Sequence, residues 1–74
     1  MDFIIEFEQE DDGRWIAEIP ELPGVMAYGT TRIHAGEKAK ALAFRVLADR
    51  IESDYFLPRI DHVGFSVYEP VAVN

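Results

Sequence analysis

The segment Asp12-Gly13-Arg14-Trp15-Ile16-Ala17-Glu18-Ile19-Pro20-Glu21-Leu22-Pro23-Gly24 constrains the fold more than any other stretch, because it sets a turn, an alternating strand and a two-proline exit end to end. Before it, Phe3, Ile5 and Phe7 alternate with Ile4, Glu6 and Glu8; within it, Trp15, Ala17 and Ile19 alternate with Ile16 and Glu18. A period of two marks half-buried strands. Residues paired across a hairpin share a face, which tests the loop between the strands. A two-residue Asp12-Gly13 turn would set Phe7 against Glu18. A three-residue loop of Asp11, Asp12 and Gly13, with Gly13 left-handed in a bulge, sets Phe7 against Ala17 and Ile5 against Ile19, and is the expected register.

Pro20 and Pro23 cannot donate to a ladder and favour extended geometry in the residues before them, so the second strand closes there and the chain swings round through Gly24. Val25 to Tyr28 reads as a short third strand, stopped by Gly29, Thr30 and Thr31. Thr31 is the expected N-cap of a helix over about Arg32 to Glu52, with Ala35, Ala39, Leu42, Ala43, Val46, Leu47 and Arg50 or Ile51 on one stripe. Gly36 interrupts that helix, and either a close contact or a frayed first turn would explain it. His34 occupies the position where a capping-box glutamate would reach back. Tyr55-Phe56-Leu57-Pro58 reads as an apolar link, His62 to Tyr68 as a fourth strand and residues 69–74 as a tail. The expected fold is α+β, in the order β-β-β-α-β, with an antiparallel sheet and one helix packed on one face.

The whole chain, residues 1–74, reads as a single domain, since 74 residues divided in two would leave pieces too small to bury a core. It has no cysteine, no basic leader before an apolar run and no apolar stretch long enough to span a membrane, so a cytoplasmic location is expected. Seven Lys and Arg against fourteen Asp and Glu give a net charge of −7. Nucleic-acid binding needs the opposite sign. An acidic body suits a basic protein partner, although the same charge also serves solubility alone.

No catalytic residue, cofactor site or metal site is expected. Glu6 opposite Glu18 could hold Mg²⁺ for phosphodiester hydrolysis, but the pair lies on an exposed sheet face without the further carboxylates such a site needs. His34 and His62 are too differently placed to act as an acid–base pair. Ser53 and Ser66 lack a nucleophile-elbow context. Gly29-Thr30-Thr31 is too short for a phosphate loop. Trp15, Tyr28, Tyr55 and Phe56 read either as packing residues or as anchors for a partner. Lys38, Lys40, Arg45 and Arg50, mixed with Glu37 and Asp49, read as a solvated helix face.

The chain resembles the N-terminal domain of HicB-like antitoxins, whose pattern runs D-G-x-[YW]-x-A-x-x-P-[DE]-L-P-G, a short strand, G-[DST]-T and a helix. The likeness covers nearly all of it and is carried by Gly13, Trp15, Ala17, Pro20, Leu22, Pro23, Gly24, Gly29 and Thr31. It implies a partial ribonuclease H-like fold and an antitoxin without enzymatic activity, whose partner is a small basic mRNA-cleaving toxin covered at its active site. Glu8, Glu10, Asp11, Asp12 and Tyr28 are the expected contact residues. Relatives usually append a ribbon-helix-helix or helix-turn-helix segment, for which this chain has no room before Asn74, so no C-terminal DNA-binding domain and no direct nucleic-acid binding are expected. The helix opening Arg32-Ile33-His34-Ala35-Gly36 departs from the acidic start common in the family. Self-association as a dimer or larger assembly would hide sheet edges. An orphan structural or regulatory interaction module is the alternative.

Overall fold

The computed structural model describes residues 1–53 and 60–68, so the apolar link at 55–58 and the tail at 69–74 lie outside the described residues. In chain order the elements are β1 (Asp2–Gln9), β2 (Trp15–Glu18), β3 (Met26–Gly29), α1 (Arg32–Glu52) and β4 (Gly64–Val67). The four strands form one sheet in the order β3-β2-β1-β4.

The β1–β2 hairpin takes the three-residue loop. The Glu10 N–H donates to the Arg14 carbonyl at 2.7 Å and the Gly13 N–H to the Glu10 carbonyl at 2.9 Å. Gly13 has φ +92°, a left-handed conformation that costs a glycine little. Phe7 therefore faces Ala17 and Glu6 faces Glu18. After β2 the two prolines build two successive turns. The Leu22 N–H donates to the Ile19 carbonyl and the Val25 N–H to the Leu22 carbonyl, both at 3.0 Å. Pro23 and Gly24, the latter at φ +86°, occupy the corners that a type II turn reserves for these residue types. Leu22, the hinge between the turns, is buried.

Continuing the β1–β2 register would set Ile4 against Pro20, whose nitrogen carries no proton and whose chain has begun to turn. The Ile4 N–H instead donates to Oε2 of Glu21 at 3.1 Å.

The sheet is mixed, which corrects the expectation of an all-antiparallel one: β4 runs parallel to β1, with Phe3 opposite Phe65 and Ile5 opposite Val67. The cause is topological. Two hairpins leave β3 parallel to β1, and one helix that runs back along the sheet returns the chain to the end from which β3 began. The next strand then enters in the same direction, on the far side of β1.

Thr31 caps α1, its Oγ1 accepting the His34 N–H at 3.0 Å. The helix buries Ala35, Gly36, Ala39, Ala43 and Leu47. Leu42, Val46 and Arg50 are half-buried while Ile51 is exposed, so the stripe ends on Arg50. Small residues face small residues: Ala17 of β2 and Ala27 and Gly29 of β3 lie under the helix, which therefore sits close over those two strands. Larger side chains, Phe3, Ile5, Phe7 and Phe65, fill the wider space over β1 and β4.

Two glycines set the closest approaches. A Cβ on Gly29 would lie 2.4 Å from the Ala35 nitrogen, inside the helix backbone. A Cβ on Gly36 would meet only the Phe7 ring, at 3.1 Å, which makes a close contact the reason for this glycine. Gly29→Ala is expected to cost about 3 kcal/mol, the upper end for an overpacked site that rigid backbone cannot relieve. Gly36→Ala gains about 1 kcal/mol of helix propensity, roughly offsetting the displaced ring. Urea unfolding of both variants checks this, and equal losses would contradict the distinction between backbone and side-chain neighbours.

Candidate functional site

With α1 on one side of the sheet, the even-numbered residues of β1 and their partners form the other side, which among the described residues carries no covering layer. Cross-strand pairing arranges this back face in rows. Glu8 pairs with Ile16 and Ile16 with Tyr28; one step on, Glu6 pairs with Glu18 and Glu18 with Met26. Ile4 and Ser66 form the next row on the β4 side. Ile4, Met26, Tyr28 and Tyr68 are exposed, and Ile16 is half-buried. A shallow depression of about 80 Å³ lies among Glu6, Phe7, Glu8, Ile16 and Glu18. Carboxylates thus stand between apolar side chains on one flat surface.

The charge is segregated between the layers. Residues 1–31 hold eight acidic side chains and a single basic one, Arg14, whereas α1 holds five of the seven basic residues: Arg32, Lys38, Lys40, Arg45 and Arg50. Arg14 is engaged locally. Its Nε donates to Oδ2 of Asp12 at 2.8 Å, its backbone N–H to Oδ1 at 3.0 Å, and its guanidinium carbon stands 5.0 Å from the centre of the Tyr28 ring. None of the described ion pairs involves Glu6, Glu8 or Glu18. Like charges set directly opposite in a sheet repel, so Glu6 and Glu18 together favour a cationic neighbour.

The expected contact residues divide accordingly. Glu8 and Tyr28 share one row of the back face. Glu10 and Asp11 lie at the hairpin end. Asp12 is occupied by Arg14, and its carboxyl is held below the ordinary 3.8, first by the Arg14 backbone N–H and then by the guanidinium. Glu6, Glu18, Ile16 and Met26 complete the surface and were not among the expected contact residues; alternation puts Glu6, Ile16 and Glu18 on the face of Glu8, and the β2–β3 register adds Met26 and Tyr28. Trp15 is half-buried against the core on the helix side, a packing role. Tyr55 and Phe56 lie outside the described residues.

Among the described residues no group of three His, Asp or Glu side chains comes together to hold a metal ion. His34 starts the helix near the Gln9 end of β1. His62 sits by the other end of β1, its carbonyl accepting from the Met1 amine at 2.9 Å and its Nε2 3.8 Å from Oδ1 of Asp2. No described helix is long and apolar enough to cross a membrane.

A second concavity, of about 180 Å³, lies on the helix side where α1 leaves β1 and β4 uncovered. Ile5, Phe7 and Val67 floor it, and Ile33, Gly36 and Lys40 are among its walls. The Arg32 guanidinium carbon stands 4.6 Å from the centre of the Phe7 ring, and Lys40 pairs with Glu37 at 3.2 Å.

Compared with known proteins, the chain matches no protein-family model, and neither a curated protein nor a solved structure is significantly similar to it.

The Asp12 contact has a pH signature. Its lowered folded value means that this carboxylate stabilises the hairpin end above pH 3.8 and ceases to do so as pH falls through the folded value. NMR titration is expected to place the Asp12 midpoint below 3.8. Arg14→Ala removes the guanidinium but keeps the backbone donor, so its midpoint should rise only part of the way. A full return to 3.8 would assign the effect to the side chain instead.

Proposed function

We propose that this chain is an antitoxin-like binding protein: it neutralises a small basic mRNA-cleaving toxin by laying the acidic back face of its sheet over the toxin's active site. The observation that carries this reading is the alternation of carboxylates and apolar side chains across the rows of Glu8, Ile16 and Tyr28 and of Glu6, Glu18 and Met26. A ribonuclease binds RNA through cationic side chains, and a surface with the opposite charge and a flat apolar component competes for the same groups. Apolar contact supplies affinity, and the carboxylates supply steering and partner choice. Inhibition of this kind needs no chemistry from the inhibitor. The likeness of the Asp12–Gly24 and Gly29–Thr31 segments to HicB-like antitoxins agrees with it.

The second reading is an orphan interaction module without a toxin, favoured by the eight large apolar side chains exposed among the described residues, which call for some partner but not for a basic one. Salt separates the two. Binding to a basic toxin weakens as ionic strength screens the carboxylates, whereas apolar association does not.

Growth of cells expressing a short basic protein encoded beside this gene is expected to arrest, and co-expression of this chain to relieve the arrest. A harmless neighbour, or arrest that persists, would sink the antitoxin reading. Reversing Glu6, Glu8 and Glu18 together to lysine is expected to weaken toxin binding by about a hundredfold at low salt, roughly 1 kcal/mol per reversed charge. Circular dichroism should be unchanged. Unaltered affinity would remove this face from the interface.

A further inference from the structure

The larger apolar side chains are divided unevenly: among the described residues six are buried and eight stand exposed, while five of the eleven buried apolar residues are alanine. Several of the exposed ones, Ile4, Phe44, Val67 and Tyr68, gather around β4. Among the described residues this strand is an edge of the sheet, and its sequence Gly64-Phe65-Ser66-Val67 has none of the charges or prolines that commonly block edge pairing.

The direction of its free backbone groups follows from the ladder. Gly64 and Tyr68 donate their N–H groups to Met1 and Ile5, so Phe65 and Val67 turn theirs outward. Among the described residues nothing bonds to that outer edge.

We propose that β4 pairs antiparallel with β4 of a second copy of this chain, about a two-fold axis through Ser66, joining two sheets into one. Parity makes this register self-complementary. It sets Phe65 against Val67 of the partner subunit, and Val67 against Phe65 of the partner subunit, as hydrogen-bonded pairs on the helix side. Ser66 meets Ser66 of the partner subunit on the back face. All four outward-facing strand groups find partners, and the floor of the 180 Å³ groove continues under Val67 into the second copy.

Charge selects this edge over the back face. Two chains of net charge −7 repel, and stacking back face on back face would bring Glu6, Glu8 and Glu18 against their own copies. Pairing through β4 brings together strands with no ionisable side chain. It leaves both back faces open and side by side. The inference does not depend on the identity of any toxin, although a toxin with two basic patches would bind such a dimer with avidity.

Sedimentation equilibrium of the full chain is expected to return twice its 8.4 kDa mass. Val67→Pro removes an outward N–H without touching the β1 ladder, and Val67→Lys places a charge against the apolar ring of Phe65 of the partner subunit. Both should sediment at 8.4 kDa with unchanged circular dichroism. Should the proline variant fail to fold, the lysine variant and a cross-link still decide. Opposed residues in a non-hydrogen-bonded pair have Cα atoms about 4.5 Å apart, a separation that a disulfide spans. The chain has no cysteine, so Ser66→Cys should form a single covalent dimer on mild oxidation while the helix-end control Ser53→Cys forms no covalent dimer. A wild-type chain of monomer mass, a dimer that survives Val67→Lys, or a Ser66→Cys chain that does not cross-link would each overturn the proposal.

Discussion

Everything in this fold depends on how closely the helix backbone approaches β2 and β3. Gly29 packs against the first turn of α1 with no room for a methyl group, and Ala17, Ala27, Ala35, Ala39 and Ala43 continue the contact along the helix. Small side chains on both surfaces bring the two layers together. They also bury little area each, so the inner layer is thin and its larger side chains, Phe3, Ile5, Ile19, Leu22, Val25 and Leu47, bear most of the apolar stabilisation. Gly36 extends the close approach to β1, where the Phe7 ring lies against the helix.

A thin core in a small domain leaves apolar surface outside, and the charge distribution separates that surface into regions of different use. The back face mixes apolar residues with Glu6, Glu8 and Glu18, a combination that repels a copy of itself and attracts a basic surface. The β4 edge is apolar and uncharged, which suits a copy of itself. The helix carries most of the basic residues on the opposite side of the molecule. The two regions meet at Ile4 and Ser66 and differ in charge: carboxylates stand on one, and β4 has no ionisable side chain.

Much of the candidate face was legible in strand parity. Once Phe7 was set against Ala17, the positions of Glu6, Glu8, Ile16 and Glu18 on the other side followed from alternation. What parity could not supply was the state of each carboxylate. Asp11 and Asp12 are neighbours in the sequence and equally acidic there, yet Asp12 accepts two bonds from Arg14. The grouping of Glu8 with Tyr28 likewise needed the β2–β3 register, which is set by the Pro20–Gly24 turns and cannot be counted from a two-residue loop.

Local physics in the sequence determined the elements themselves: the hairpin loop through the left-handed Gly13, the double turn through Pro20, Pro23 and Gly24, the helix start through the Thr31 cap, and the strands through their period of two. Each of these is decided within a few residues. Only the tertiary structure decided the direction of β4, because that follows from where a 21-residue helix returns the chain and not from any property of Gly64–Val67. It likewise decided the purpose of Gly36, which the sequence left between a frayed turn and a close contact and which the Phe7 ring resolves. Contacts between residues distant along the chain answer such questions, since packing chooses among arrangements that local preferences leave equally open.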